Sequence, residues 1–596
     1  MLPISDLFPL RVMEITLQFT EASKVRLYHQ ASLSAWLRYL TDDYSDDYER
    51  YLSIDAPESG CTRFQAGNDY RFSIMAVAGG EALLEILLNR LKRLPQGVVV
   101  TDKRAAFRDN LRFVSAQDLF SQATVQQVDE LTPFTFAQLE QQAELWLSQE
   151  EGILRWLSPV RLLLPKPQRA HRKDEMRFCR YASHMSFELL NDRLHDTLAY
   201  LLRQRGVAIP PRQSDKSPRL LKADAFWLDF DYWHSDGRRK PMGGLLGTLQ
   251  LDMQAMPFEQ VCQFVLGQYV GIGQRRVFGW GRYRLETVEG QATLLRTLSA
   301  NSLLDACTSE RVLEAYQRTT PPQSPPNKGG EVLDDSPPFQ GGAGGGWDEK
   351  KQHMLNLRER WITGRYQVPP LQEKRVFKRK TLQELQIPPF TDRILQRTVA
   401  QVLAPTLDSI MYQGNFGFRQ GHSRQQAVKM IQTAYEQGYR WVFESDVNDF
   451  FDSISWSQLH TRLVAFFGDD PVIHWIMAWV QAPLQKLGQL VARSAGLPQG
   501  SPLSPVLANI MLDELSRSGI VSRADVGSEL KLVRFADDFV VLCRERGEHV
   551  APLVNASNEL MYFKVPVLSG GKVELNDLDV PDGEWVDVFV LGRREE

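Results

Sequence analysis

Residues 321–346 read PPQSPPNKGGEVLDDSPPFQGGAGGG, and no other stretch constrains the fold of the chain as strongly. Half of it is proline or glycine and almost nothing in it can be buried. It reads as a flexible low-complexity connector between two independent units. Its doubled PP…GG pattern reads as an imperfect repeat of a short insert with no catalytic role. Deleting it is expected to leave both flanking units folded. A chain of 596 residues is long enough for roughly two to four domains. The expected boundaries are 1–290, a helical tail with linker over 291–348, and 349–596.

The sharpest chemical signal lies after the connector. Phe535-Ala536-Asp537-Asp538 sits between the runs Lys531-Leu532-Val533-Arg534 and Phe539-Val540-Val541-Leu542. That pattern predicts a β-hairpin presenting acid at its turn. Neighbouring carboxylates raise each other's pKa, so the pair is unfavourable unless a cation binds it. The bland alternative is an Asp-Asp turn that only reverses the chain. Upstream, residues 441–454 form an apolar run that ends on Asp446 and enters a turn rich in Asn and Asp. With both strands in one sheet, Asp446 and Asp537 meet at the same edge. Asp538 then completes an all-oxygen site suited to two Mg²⁺ ions. Such a pair, about 3.5–4 Å apart, activates a 3′-hydroxyl and stabilises a departing pyrophosphate. Between these segments, Gly496-Leu497-Pro498-Gln499-Gly500-Ser501-Pro502-Leu503-Ser504-Pro505 lets backbone approach a flat ligand. The run 506–515 predicts a helix packed beneath it.

Motifs of the types DxxxFFDxI, PQGxPLSPxLxNxxL and FADD, in this order, resemble the reverse transcriptases of group II introns and their CRISPR-associated relatives. The resemblance covers about residues 350–596 and implies a right-hand palm with fingers. It implies Asp446, Asp537 and Asp538 as catalytic carboxylates holding Mg²⁺, or Mn²⁺ in its place. Phe451 falls where the family keeps a steric gate against a ribose 2′-hydroxyl; a plain core phenylalanine is the alternative. Gln499 and Gly500 fall beneath the incoming deoxynucleotide. Lys572 aligns with a lysine that protonates pyrophosphate, against the reading of a solvated turn lysine. Phe589-Val590-Leu591-Gly592 resembles the hairpin that grips the primer. Residues 387–396 and 414–421 resemble the family's first two blocks. Their Arg393 and Arg419 are candidates for triphosphate or template phosphate, because a planar guanidinium binds phosphate bidentately. For Arg393 an ion pair with the adjacent Asp392 competes. Lys374, Arg375, Lys378, Arg379 and Lys380 form a basic run before the fingers that could track a phosphate backbone. Two departures stand out: where relatives carry a basic residue near Gln383, the nearest positives here are Lys378, Arg379 and Lys380, and the chain stops at Glu596 without room for a helical thumb. The latter puts processive synthesis by this chain alone in doubt.

Before the connector, residues 267–283 read GQYVGIGQRRVFGWGRY, with glycines alternating with arginines and aromatic residues. Glycines free backbone N–H groups to face phosphate, while arginines and rings contact bases. A dinucleotide site would need the order strand, GxGxxG, helix, and here a strand follows the glycines. With Lys240-Pro241-Met242-Gly243-Gly244-Leu245-Leu246-Gly247, the loop resembles the CRISPR repeat-RNA endoribonucleases, a repeat-associated family of tandem ferredoxin-like domains. This resemblance spans about residues 1–290 and implies Gly271, Gly273, Arg275, Arg276, Gly279 and Gly281 as RNA-binding. It also implies a metal-independent endoribonuclease without cofactor, with a general base and acid at the scissile phosphate. Histidine suits both tasks at neutral pH, and the family's first helix points to His29, with Tyr28 and Arg38 as helpers. An exposed or capping histidine is the alternative; His184 and His195 are the rivals.

The expected fold class is thus α+β: a tandem ferredoxin-like N-terminal unit, a flexible connector, and a fingers-palm polymerase unit lacking a full thumb. The resemblance implies a fusion that processes CRISPR repeat RNA and copies RNA into DNA for spacer acquisition. Implied partners are repeat RNA, an RNA template, a DNA primer, deoxynucleotides, and the CRISPR spacer integrase with its small dimeric companion. The rival is a group II intron or retroelement-type enzyme with a non-cleaving RNA-binding N-terminal domain. A net charge of −4 gives no global pull toward nucleic acid, so affinity must come from local patches. Five cysteines without paired spacing argue against a zinc site or disulfide framework. There is no basic-then-apolar leader and no run near the roughly 20 apolar residues that span a bilayer, so the expectation is a cytoplasmic protein without a membrane.

Overall fold

Alternating burial along short runs sets the sheets of the first unit. Strand β1 (Arg11–Phe19), helix α1 (Gln30–Leu40), β2 (Leu52–Asp55), β3 (Asp69–Ala76), helix α2 (Glu81–Lys92) and β4 (Leu111–Asp118) follow in chain order. Their strands form an antiparallel sheet of order β2-β3-β1-β4, with Ile15 opposite Phe72. In α2 the residues Leu83, Leu84, Leu87, Leu88 and Leu91 recur at helical spacing and are all buried. They share one core with Met13, Ile15 and Leu17 of β1. Each such side chain contributes about 1.5–3 kcal/mol by leaving water.

The same alternation of elements recurs next. It runs through β5 (Glu151–Trp156), α3 (Phe187–Arg203), β6 (Leu220–Trp233), β7 (Arg239–Asp252), α4 (Phe258–Val270) and β8 (Tyr283–Glu286). Its antiparallel sheet has the order β8-β5-β7-β6. Helix α3 starts where the Ser186 side chain accepts a hydrogen bond from the Leu189 N–H, satisfying one orphan donor of the first turn.

In this computed structural model the described residues are 2–41, 45–56, 58–94, 107, 110–169, 177–210, 220–233, 239–288, 302–319, 347–378, 381–439, 441–447, 450–486, 488–517, 531–544, 563–564 and 567–568; within 441–447 only the backbone is described. The connector 321–346, Lys572 and residues 589–592 lie outside them. Two bodies divide the chain: Met1–Ser302 with Thr461–Asp470, and Leu303–His460 with Pro471–Glu596.

The second body contains β9 (Leu371–Lys378), β10 (Thr381–Ile387), α5 (Phe390–Asp408), α6 (Arg424–Glu436), β11 (Trp441–Val447), β12 (Leu484–Lys486) and β13 (Gln489–Val491). After these come α7 (Ser504–Arg517), β14 (Lys531–Phe535), β15 (Asp538–Cys543), β16 (Phe563–Lys564) and β17 (Val567–Leu568). One sheet has the order β10-β9-β12-β13, and Lys374, Arg375 and Lys378 of the basic run lie on its strand β9, while Arg379 and Lys380 lie outside the described residues. The other has the order β14-β15-β11-β16, with β17 also pairing with β11. Helix α6 begins with a reciprocal capping box between Ser423 and Gln426, and it buries Ala427 and Ala434 against Val533 and Leu542 of the β14–β15 hairpin. The expected α+β class stands in its coarse form, helices with mainly antiparallel sheets, β9 and β12 forming a parallel pair. Among the described residues Cys61, Cys179, Cys262 and Cys307 are free thiols, and no helix is long and apolar enough to cross a membrane.

Candidate active site

Register decides where the acids of the second body fall. Strands β11 and β15 are antiparallel, with Ser445 opposite Phe539, so Asp446 and Asp538 are the next positions at the same sheet edge. On its other side Asp446 faces Lys564 of β16 along the backbone. The β14–β15 hairpin closes with Phe535 opposite Asp538, leaving Ala536-Asp537 as a two-residue turn. Asp537 is half-buried and Asp538 exposed. Burial first, and then the charge of Asp537, raises the Asp538 carboxyl above its usual range, while Arg424 opposes the shift. The charge of Asp537 is thus felt at Asp538, and the register brings a third acid, Asp446, to the same strand end along the backbone, while among the described side chains no group of three acids, histidines or cysteines converges as a metal site. The Asp446 side chain itself lies outside the description.

The Gly-Pro loop is fastened to the segment that follows β11. Leu497 N–H donates to Phe451 O at 2.6 Å, Gly496 N–H to Ile454 O at 2.8 Å, and Gln499 Nε2 to Asp452 Oδ2 at 3.3 Å. Gly500 N–H reaches Gln386 O at 3.2 Å, joining the loop to β10. Phe451 is half-buried, edge-on to Phe450 with ring centroids 5.7 Å apart, and Gln499 is exposed. The structure thus brings Phe451, Gln499 and Gly500 together. Arg393 does not pair with Asp392. That carboxylate accepts from Tyr366 Oη and Trp479 Nε1, each at 2.9 Å, and burial raises it to about 6. The Arg393 guanidinium instead lies 5.6 Å from the Phe390 ring centre. Arg419 is a correction to the sequence reading. It donates to Asp408 Oδ1 at 2.6 Å and to the carbonyls of Tyr412 and Asn415 at 3.0 and 2.7 Å, so its fork holds the fold.

In the first body the glycine-rich loop joins α4 to β8, and it corrects the expected use of the glycines. Gly271 N–H donates to Gly267 O (2.8 Å), Gly273 N–H to Thr197 Oγ1 (3.1 Å), Gly279 N–H to Arg276 O (2.8 Å) and Gly281 N–H to Pro159 O (2.9 Å). None of the four is a spare donor for phosphate. At Gly281 the need for glycine is steric: φ is 72° and a Cβ would lie 1.8 Å from Ile272 O. Arg276 is buried, donates to Glu49 O at 3.0 Å, and is lowered to about 10 by burial. Arg275 is exposed, adopts φ 66°, and lies 5.4 Å from the Phe278 ring centre. Beside it opens a cleft of about 480 Å³ lined by Arg161, Arg193, Thr197, Tyr200 and Arg275.

His29 stands at the start of α1 and is 7% exposed. Its Nδ1 lies 2.9 Å from Arg26 O, and its Nε2 lies 2.6 Å from Tyr70 Oη. A carbonyl only accepts, so Nδ1–H donates and Nε2 accepts the Tyr70 hydroxyl proton. Burial lowers its pKa to about 4. Both nitrogens are occupied and the ring is neutral, and although His29 stands at the N-cap position its side chain makes no capping hydrogen bond. Tyr28 Oη donates to Ala465 O at 2.9 Å and Arg38 pairs with Glu49 at 3.4 Å, so neither helper is directed at His29. Sequence reasoning missed Tyr70, whose link to His29 spans 41 positions and leaves no linear signal.

Comparisons with known proteins follow the same division. Residues 376–567 match the family described as "Reverse transcriptase (RNA-dependent DNA polymerase)". The chain is 31% identical over 168 residues to Protein YkfC of Escherichia coli, covering 27% of this chain and 44% of that protein. It is 30% identical over 210 residues to group II intron-encoded protein LtrA of Lactococcus lactis subsp. cremoris, covering 34% and 32% respectively. It therefore aligns with less than half the length of either relative. Among solved structures, a chain of the "Partial Cas6-RT-Cas1--Cas2 complex" is 27% identical with a TM-score of 0.63, covering 93% of this chain and 92% of that one. A chain of the "Cas6-RT-Cas1--Cas2 complex" has the same identity and TM-score, with 57% of it covered.

Proposed function

From a chain that joins a Cas6-like unit to a group II intron-like reverse transcriptase domain, we propose an RNA-directed DNA polymerase for CRISPR spacer acquisition. Its N-terminal unit binds the repeat RNA. The observation that carries this reading is the register placing Asp446 beside the Asp537-Asp538 turn. Asp446, Asp537 and Asp538 would hold Mg²⁺, which when bound supplies charge neutralisation for nucleotidyl transfer to a primer 3′-hydroxyl. The chain's own residues shape the substrate. Phe451 presents its half-buried ring to the sugar as the steric gate, and Gln499, tied to Asp452, supports the incoming deoxynucleotide. Lys572 keeps its proposed place as proton donor to pyrophosphate, and Arg393 as a phosphate contact. The partners proposed are a spacer integrase and its small companion, in line with the Cas1 and Cas2 named for the similar complex.

The tandem ferredoxin-like reading of the first unit draws support from its strand orders. Both four-stranded sheets follow a β-α-β-β-α-β succession with the first strand between the third and fourth. Arg275 and the cleft beside it are the proposed RNA contact. Cleavage of that RNA, metal-independent and with His29 as base, is the fuller version of this reading. His29 is buried with both nitrogens bonded, which weighs against His29 itself as the base and leaves His184 and His195 as its rivals; a unit that holds RNA without cutting it is the second reading.

The test is primer extension on an RNA template in Mg²⁺. Asp537→Ala is expected to abolish DNA synthesis while RNA binding by the same protein persists; undiminished synthesis would refute the carboxylate assignment. Incubating a repeat hairpin with the wild-type chain and His29→Ala separates the two N-terminal readings. Loss of about 10²–10⁴-fold in rate supports His29 as an acid–base group, and intact repeat RNA with wild type supports holding alone.

A further inference from the structure

Arg534 stands three residues before Asp537, and its side chain is fully buried. A guanidinium removed from water is costly unless its hydrogen bonds are put to use. Among the described residues it forms no salt bridge, and its Nε and Nη2 have no hydrogen-bond partner. What it does have is Nη1, which donates to Ala536 O at 2.8 Å and to Asn509 Oδ1 at 3.1 Å. That carbonyl belongs to the first residue of the acidic turn. Ala536 has φ 62°, a left-handed conformation that a residue with a Cβ adopts only under constraint.

A second layer holds the same point. Arg534 N–H donates to Gly414 O and its carbonyl accepts from Phe416 N–H, both at 2.8 Å. Asn509 Oδ1 also accepts from Asn415 Nδ2 at 3.2 Å, and Asn509 Nδ2 donates to Gly417 O at 2.9 Å. Gly417 lies so close that a Cβ there would come within 1.9 Å of Ala536 N. The segment 414–417, Asn509 of α7 and the Arg534 fork therefore converge on the backbone from Arg534 to Ala536 that leads into Asp537.

We propose that Arg534 is a positioning residue for Asp537: by donating to the Ala536 carbonyl it holds the left-handed turn that sets where this carboxylate stands at the sheet edge. The proposal rests on the polymerase reading of Asp537. A residue that only filled the core would not need to address the turn carbonyl, and methionine would fill the space without a buried charge.

The test is a double-mutant cycle between Arg534→Met and Ala536→Gly in the full chain, read by melting temperature, kcat and KM for a deoxynucleotide, and Mn²⁺ binding followed by electron paramagnetic resonance without substrates. Arg534→Met is expected to keep the melting temperature, lower kcat by about 10–100-fold with little change in KM, and weaken Mn²⁺ binding by about tenfold. Glycine takes φ 62° without strain, so in the Ala536→Gly background both losses should shrink. Wild-type kcat and wild-type Mn²⁺ affinity in Arg534→Met, or effects of the two substitutions that simply add, would overturn the proposal. Should Arg534→Met melt below the assay temperature, Arg534→Lys, which keeps the charge without the fork, carries the same cycle. A wild-type chain that makes no DNA sinks the polymerase reading, and the Mn²⁺ titration then still decides the role of Arg534.

Discussion

Two of the loops in which this chain takes positive φ are built in opposite ways. At the acidic turn the residue with φ 62° is an alanine, held by a buried arginine and a close-packed glycine. In the loop 271–281 four glycines take that region themselves, at φ between 72° and 82°. The first arrangement spends constraint to fix a neighbouring carboxylate. The second releases constraint so that backbone segments can touch, and its N–H groups are used within the protein. The acid at the turn is proposed to serve chemistry, whereas the glycines of this loop serve packing, although a family resemblance lends both a functional meaning. The exception inside the glycine loop is Arg275, a non-glycine residue at φ 66° with an exposed guanidinium.

The comparison breaks most visibly at Gly281. Alanine there sets a Cβ 1.8 Å from Ile272 O at a φ suited to glycine. Gly281→Ala is expected to destabilise the first body by about 3 kcal/mol or more. Thermal melting checks this. Weakened RNA binding with an unchanged melting curve would restore the glycine to a direct phosphate role.

His29 offers the next largest effect, as a pH dependence. Its pKa is about 4 in the fold and about 6.5 when unfolded. Between these values the unfolded chain binds more protons, so stability rises with pH. The contribution is complete above about 6.5 and lost as pH falls toward about 4, amounting to about 3 kcal/mol. Glu14 and Glu58, raised to about 7 by burial, act in the opposite direction in any variant of His29. The difference in denaturation free energy between wild type and His29→Gln should therefore isolate the histidine, falling between pH 6.5 and 4. Parallel curves would mean that the ring titrates in the folded protein as it does in water.

How much of this was legible in the sequence follows from range. The hairpin at Asp537, the strand that carries Asp446 one position before its end and the helix after the Gly-Pro loop are written in contiguous runs, and their elements lie where the pattern predicts them. The juxtaposition of Asp446 with Asp538 needed only the assumption that two strands pair. The engagement of Arg419 by Asp408, the seal of Tyr70 on His29 and the Arg534–Asn509 contact involve partners 11, 41 and 25 positions away. No local pattern marks them. For Arg393 the adjacent Asp392 misled, because on a helix neighbouring positions diverge and Asp392 turns inward to Tyr366 and Trp479.

A smaller effect sharpens the role of Phe451. Its ring is half-buried and meets Phe450, while its carbonyl is bonded to Leu497. Phe451→Ala is expected to lower discrimination against ribonucleotides by about tenfold or more, equivalent to about 1.4 kcal/mol in relative kcat/KM. Competing single-nucleotide incorporation of ribo- and deoxynucleotides measures it. An unchanged ratio with a lowered melting temperature would return the ring to a packing role.

The finest distinction concerns Arg275 against the glycines around it. Its guanidinium is exposed at the rim of the cleft and, among the described residues, forms no ion pair, only the stacking over Phe278 at 5.4 Å. An arginine that meets one phosphate releases about one counterion, so removing it should flatten the slope of log affinity against log salt by about one unit. Arg275→Ala is therefore expected to weaken repeat-RNA binding modestly and about equally across RNA sequences, with no shift in melting temperature. A changed melting temperature with an unchanged salt slope would place Arg275 with the glycines, as a residue that builds the loop. A flattened slope on an intact fold would place it with Ala536 of the acidic turn, as a strained position kept for a functional purpose.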